Sequence, residues 1–430
     1  MIKNRVIQNV FWIVLGKVIQ SVLALLIGSL TARYLGPANY GVINYVTSLV
    51  AFVVPVMQLG LNSIMVQQLI NHPQMEGKIM GTSMMMCLTS AVLCYAGLQV
   101  FVFFVNPGEV TTHYICLLSS TVLFFQAIEM IQYWFQAKLK SKYVSLTMLA
   151  SYIVVSAYRI YLLANAKSIY WFSVSGAFDV LLIAIALHMI YRKLGGQRLA
   201  FDPQLIRPLL SKGKYFIVSS LMITLFTQTD KVMLRILIDE EATGYYAAAT
   251  TCVLLTNFVF GAIFESARPV LLQKKKESLE AFEEATVMLY GIIVALALLQ
   301  CLAIVGLGKW VIWVLYGEAY LPAAGALRIL VWYTLFSYIG MTRSIWILAE
   351  NLQRYIWMIN LSGAVVNIAL NVLLIPDFGI NGAAWASLIS QFVTNVGVSM
   401  VIPKLRRSNY LLLRSLDFRS LYRMLKKGLK

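Results

Sequence analysis

Apolar positions along this chain come in long runs, with short polar breaks between them. A bilayer core needs about 20 apolar residues per helix, whereas barrel strands alternate over segments of about ten. The runs therefore predict membrane-spanning helices near 8–32, 42–65, 80–104, 113–136, 143–164, 169–191, 214–238, 244–270, 285–307, 322–348, 357–376 and 383–403. The first run resembles a signal peptide at its start, M-I-K-N-R. It is too long for a signal core and is interrupted by Lys17, so it is expected to stay as an uncleaved span.

Composition agrees with this pattern. Of 430 residues, 60% are hydrophobic and 12% charged; a soluble protein carries about a quarter charged residues. No water-soluble shell can be built from this set, and lipid must be the main solvent. The five cysteines, Cys87, Cys94, Cys116, Cys252 and Cys301, lie in or beside apolar runs without a C-x-x-C pair, and the three histidines stand far apart. Buried thiols are expected, not a disulfide framework or a metal site.

The net charge of +17 would suit nucleic acid if it were clustered on one face. Its distribution points instead to topology. With the N-terminus in the cytoplasm, the inner segments hold 25 lysines and arginines and the outer loops hold three, Arg33, Lys167 and Lys309. That bias sets both termini inside and favours an even number of spans. The longest polar connection, residues 192–214, nearly halves the chain. It predicts an N-terminal six-helix bundle over 1–202, a second over 203–403 and a basic tail over 404–430. The outer segment K-W-V-I-W-V-L-Y-G-E-A-Y, 309–320, predicts a short interfacial helix. The tail is basic and amphipathic. Lying on an anionic inner leaflet is the leading expectation, with docking to a partner as the other.

Three outer turns echo one another: Y-G-V-I-N-Y-V-T at 40–47, T-G-Y-Y-A-A-A-T at 243–250 and N-G-A-A-W-A-S-L at 381–388. Each reads as a tight turn, a glycine, and a helix beginning with small or aromatic residues. The first two follow spans one and seven, as a parallel repeat of two halves would place them.

The run V-F-W-I-V-L-G-K-V (10–18) followed by T-A-R-Y-L-G-P-A-N-Y-G (31–41) resembles the polysaccharide flippases of the MOP superfamily. So do E-M-I-Q-Y-W-F-Q-A (129–137), the stretch from Thr229 to Thr250, and L-I-P-D-F-G-I-N-G-A-A-W-A-S (374–387). One departure is Gln228, where family members often carry an arginine two residues before the position of Asp230. The resemblance implies an all-α, MATE-like fold of about 12 transmembrane helices in two six-helix bundles around a central cavity. It implies an alternating-access transporter, without cofactor, that moves undecaprenyl-pyrophosphate-linked oligosaccharide from the inner to the outer leaflet of a bacterial cytoplasmic membrane. The products would be O-antigen, capsule or exopolysaccharide, and a polysaccharide polymerase is an expected partner.

Charges inside spans carry the candidate chemistry, because each costs several kcal/mol near the bilayer centre and normally faces a cavity or a partner. The basic set is Lys17, Arg159, Lys231, Arg235, Arg268, Arg328 and Arg343; the acidic set is Glu129, Asp179, Asp230 and Glu265. A pyrophosphate needs cationic donors, and arginine grips phosphate with two parallel hydrogen bonds. Lys17, Arg268, Arg343, Arg159 and Lys231 are therefore the substrate-binding candidates. Lys17 resembles the first-span cation that lipid-linked sugar flippases place in the cavity, and Arg268 is its counterpart in the second half. Asp230, Asp179, Glu129 and Glu265 are candidates for ion coupling, by H+ or Na+, or for gating. Glu265 and Arg268, three apart, are placed to pair. Arg159, Arg235 and Arg328 lie near outer span ends, where snorkelling to headgroups is the simpler role.

Trp134, Tyr133, Tyr158, Tyr161, Trp332, Tyr333 and Trp346 offer faces for sugar rings, though an interfacial belt explains them equally. Gln126, Gln132 and several span asparagines offer hydrogen bonds to sugars or between helices. A cation-coupled drug exporter of the same superfamily would favour an acidic cavity, and here cations dominate. A membrane polymerase or ligase would need a sizeable exported loop with catalytic residues, and a channel a repeated selectivity motif; neither is present.

Overall fold

The computed structural model describes the backbone of residues 2–254 and 257–417, with side chains over 20–254, 257 and 259–417. The described residues form helices and short turns and contain no strand. They fall into two compact units, Met1–Val232 and Met233–Lys430. The division lies inside the seventh expected span, beyond the polar connection.

The first unit comprises α1 (Ile2–Met57), α2 (Met65–Asn71), α3 (Glu76–Val105), α4 (Val110–Ser119), α5 (Val122–Glu129), α6 (Gln132–Ala137), α7 (Ser141–Ala164), α8 (Ile169–Lys193) and most of α9 (Ile206–Leu237). Expected spans one and two are one helical stretch broken at Gly36, whose φ of 74° lies in the left-handed region that favours glycine. Pro37 follows it and suits the start of the second helix. The fourth span is split into α4, α5 and α6. At its first break Ser120 and Thr121 donate their hydroxyls to Cys116 O and Leu118 O, a local competition that bends helices.

The connection between α8 and α9 is a strap laid along the start of α3. Gly77 N donates to Gln197 Oε1 (3.0 Å), Ala200 N to Gly77 O (3.1 Å), and Asp202 N to Thr82 Oγ1 (2.9 Å). Gly77 and Gly81 permit this approach. A Cβ on Gly81 would stand 2.4 Å from Ala200 O, and one on Gly77 2.2 Å from Arg198 O. Lys78 Nζ lies 3.1 Å from Asp202 Oδ2, and that hydrogen bond holds the Asp202 carboxyl below its usual range. A helix where the sequence predicts polar loop follows from these contacts: α9 begins at Ile206, capped by the turn in which Asp202 accepts from Gln204 N.

The second unit comprises α10 (Glu240–Leu254), α11 (Asn257–Glu277), α12 (Leu279–Tyr316), α13 (Ala323–Ala349), α14 (Ile356–Phe392), a π-helical turn (Val393–Gly397), α15 (Val398–Val401) and α16 (Arg406–Ser415). α14 contains expected spans eleven and twelve, broken at Gly379 (φ 55°) behind Pro376. Among the described residues nine stretches are long and apolar enough to span a membrane, with α10 and α11 as a bent tenth. Two of these ten hold two expected spans each, so every expected span falls on helix.

Local expectations are refined at three places. Residues 309–316 are not a separate interfacial helix. They continue α12, which runs 38 residues and exposes Trp310 and Trp313 on its last turns. The echoed glycines are not the turn residues either: Gly244 and Gly382 lie within helices, and Gly382 is needed because a Cβ there would meet Leu374 O at 2.2 Å. The basic tail, as far as Asp417, has a protein partner for its apolar face. Leu405, Leu411 and Leu412 are buried in the core of the second unit, with α16 packed on α12. Residues 418–430 lie outside the described residues.

Gly81→Ala is expected to lower stability by about 2 kcal/mol, because the strap must move off α3. Thermal unfolding of the purified protein in detergent checks this; an unchanged midpoint would refute the close contact.

Candidate functional site

The first unit encloses a cavity of about 540 Å³, within the range of ordinary ligand sites. Its apolar wall includes Ile43, Val50, Val54 and Phe172; its polar positions are Thr47, Ser119, Gln126, Arg159, Ser173, Ser175 and Thr224. Four expected spans besides α9 contribute, because helices packed by small residues leave their larger side chains room to converge.

Among the described residues Arg159 is the only cation in that lining. Its Nε donates to Ser175 Oγ at 3.0 Å, and Ser175 Oγ in turn donates to Phe172 O at 2.6 Å. This chain fixes the guanidinium's direction and leaves both terminal amino groups without a hydrogen-bond partner among the described residues. Gln126 Oε1 is also buried without a partner. A free guanidinium fork, a free amide acceptor and several hydroxyls on apolar walls suit a ligand with both negative charge and hydroxyl groups.

Two of the acidic candidates lie in the same unit. Ser151 Oγ lies 2.6 Å from Asp179 Oδ1 and 3.0 Å from Asp179 O. Glu129 Oε1 accepts from Gln132 Nε2 at 3.3 Å, and Glu129 and Asp179 stand close enough to act on each other electrostatically. Asp230 is buried near the end of α9, with Lys231 half-buried beside it. At the family's usual arginine position, Gln228 Oε1 accepts from Ser48 Oγ at 3.0 Å and so joins two helices.

The remaining candidates are dispersed. Lys17 has its side chain outside the described residues. Glu265 and Arg268 are both exposed and form no ion pair with each other, so their spacing did not produce the expected contact. Arg235 Nη1 pairs with Glu240 Oε2 at 3.2 Å, and Arg328 is exposed. Arg343 is 2% exposed and turns to the tail helix: its Nε donates to Ser408 Oγ at 3.2 Å and its Nη2 to Asn409 Oδ1.

Sequence reasoning passed over Glu76. It lies outside the third apolar run, yet it is 4% exposed and accepts from Trp134 Nε1 at 2.8 Å while pairing with Lys138. Trp134 is thereby held as a structural group rather than as a face for sugar. Lys138 was counted only for topology; no local signal ties it to a carboxylate on another helix.

A model of the family described as "Polysaccharide biosynthesis protein" matches residues 6–275. Uncharacterized membrane protein MJ1068 of Methanocaldococcus jannaschii is 28% identical over 245 residues, which cover 52% of this chain and 47% of that protein. The match therefore spans about half of that relative's length. Among solved structures, an inward-facing multidrug resistance MATE family transporter of the MOP superfamily aligns over 90% of this chain and 96% of its own, with TM-score 0.68 and 11% identity. Lipid II flippase MurJ in an inward closed conformation aligns over 94% and 91%, with TM-score 0.68 and 14% identity. A MOP superfamily transporter from Pyrococcus furiosus, described as having a binding pocket of reverse polarity, aligns over 92% and 96%, with TM-score 0.59 and 12% identity. At these identities the likeness is one of fold: an all-helical MOP-type membrane protein.

Trp134→Phe removes the indole N–H from a buried carboxylate and is expected to cost about 2 kcal/mol, the scale of a hydrogen bond to a charged group. Chemical or thermal unfolding in detergent measures this; a loss within a few tenths would show that Lys138 alone satisfies Glu76.

Proposed function

Since this chain belongs to the polysaccharide biosynthesis protein family, we propose that it is a flippase for saccharides carried on a polyprenyl diphosphate. Its substrate on this reading is an undecaprenyl-pyrophosphate-linked oligosaccharide repeat unit, moved from the inner to the outer leaflet of a bacterial cytoplasmic membrane. The reading rests above all on the cavity that holds the fixed Arg159 guanidinium among hydroxyl and amide groups. A lipid-linked saccharide presents hydroxyls and an anionic group together, and a low-dielectric wall strengthens the attraction between that anion and a fixed cation. The same cavity opposes a cationic drug. The 25-to-3 bias of basic residues supports cytoplasmic termini.

On this reading the chain's own residues divide the work. Arg159 orients the anionic part of the cargo, with Gln126 Oε1 and Ser119 Oγ accepting from its hydroxyls. Lys17, Lys231 and Arg268 remain substrate-contact proposals. Glu129 and Asp179 take up the coupling ion: carboxylates that feel each other's charge hold a proton or cation more readily than isolated ones. Asp230 and Glu265 remain proposals for coupling or gating. No covalent step is required, so the transport cycle is a set of binding and conformational equilibria, and a gradient drives it only through differential affinity for the ion.

Deleting the gene is expected to leave undecaprenyl-linked repeat units on the cytoplasmic side and to deplete surface polysaccharide. Normal polysaccharide with altered drug tolerance would overturn the reading. In the complemented strain Arg159→Gln is expected to lower polysaccharide export at least about tenfold, the loss of one charge-assisted fork, with membrane protein level unchanged. Glu129→Gln combined with Asp179→Asn is expected to abolish the response of transport in proteoliposomes to an imposed proton or sodium gradient. A retained response in the double variant would remove these residues from coupling.

A further inference from the structure

The tail helix α16 is held in the second unit by an unusual set of polar contacts. Arg407 forks Glu283 of α12, Nε to Oε1 at 2.7 Å and Nη2 to Oε2 at 2.6 Å. Ser408 Oγ lies 2.9 Å from Tyr290 Oη of α12 and accepts from Arg343 Nε of α13. Asn409 Oδ1 accepts from Arg343 Nη2 and from Ser399 Oγ at 2.9 Å, while its Nδ2 donates to Val396 O at 3.2 Å. Val396 belongs to the π-helical turn, a deviation that often marks functional positions.

Arg343 is the centre of this arrangement, and its electrostatics are incomplete. It is almost fully buried, its protein partners are the neutral Ser408 and Asn409 with the Tyr290 hydroxyl beside them, and among the described residues no carboxylate pairs with it. Among the described residues its Nη1 is buried with no acceptor in hydrogen-bonding geometry. Neutral acceptors satisfy the direction of a guanidinium's hydrogen bonds but not its charge. A buried cation in that state is costly, and an anion would be the better partner.

We propose that Arg343 forms a latent binding site for an organic diphosphate, closed in this conformation by α16. The proposal deepens the flippase reading and rests on it for the identity of the ligand. Ser408 and Asn409 act as placeholders. When the diphosphate arrives, its oxygens take the Nη1, Nη2 and Nε donors, and Ser408 and Asn409 leave with the tail helix. The Arg407–Glu283 fork is more exposed than Arg343, with the arginine side chain 54% accessible, so it limits release less than its geometry suggests. Reciprocity follows from linkage: a ligand that displaces α16 binds more tightly when α16 is weakened. The tail thereby keeps the buried cation occupied when no cargo is present and prevents its capture by smaller anions.

The test uses the full-length protein in lipid nanodiscs with farnesyl diphosphate as the probe. Binding is measured by calorimetry, and hydrogen exchange is followed over residues 406–415. Farnesyl diphosphate is expected to increase exchange across α16 in the unaltered protein. Ser408→Ala with Asn409→Ala is expected to tighten binding at least about fivefold, the low end of typical coupling between sites. Arg343→Gln is expected to remove that gain. Binding with α16 protection unchanged, or equal binding by Arg343→Gln, would overturn the latent site and leave the flippase reading standing. No binding of the probe by any variant would overturn both this site and the diphosphate part of the flippase reading. The exchange experiment on the unaltered chain decides the matter even if a variant fails to fold.

Discussion

Inside a bilayer there is no water to satisfy a backbone amide or a side-chain charge, and this one constraint orders the whole molecule. It makes helices obligatory, because only they bond their own backbone. It also makes each polar side chain in a span an obligation that some other helix must meet. The structure shows several ways of meeting it. Asp179 is met by Ser151 from α7, Glu76 by Trp134 and Lys138, and Arg235 by Glu240.

Two arginines show how the same residue type is used differently. Arg159 is fixed through Nε and keeps its fork facing a cavity. Arg343 is surrounded and held by the chain's own tail. Sequence reasoning treated them alike, as cations in spans. The distinction arises because one helix neighbourhood leaves a void and the other is filled by α16. Arg268 has neither arrangement: it is exposed, and the carboxylate three residues before it does not reach it.

The conformational devices are equally local in cause. Gly36 and Gly379 supply positive φ where the chain must reverse between spans, while Gly77, Gly81 and Gly382 serve close backbone approach. The glycines of the three echoed motifs were read as turn residues, and the actual turns lie a few residues earlier or elsewhere. A glycine in sequence announces a special backbone demand without saying which kind. Likewise the tail's amphipathic pattern announced an apolar face, and only packing showed that its partner through Asp417 is the second unit's core.

The sequence by itself determined what additive, short-range quantities can determine. Hydropathy summed over about 20 residues located the spans, the count of basic residues favoured one orientation, and ordered motifs pointed to the family later matched over residues 6–275. Tertiary structure alone decided which charges have partners. The Ser151–Asp179, Glu76–Lys138 and Arg343–Asn409 contacts join residues 28, 62 and 66 positions apart. A local window carries no information about such pairs. Their geometry depends on where separate helices cross, and that is set by the packing of the unit as a whole.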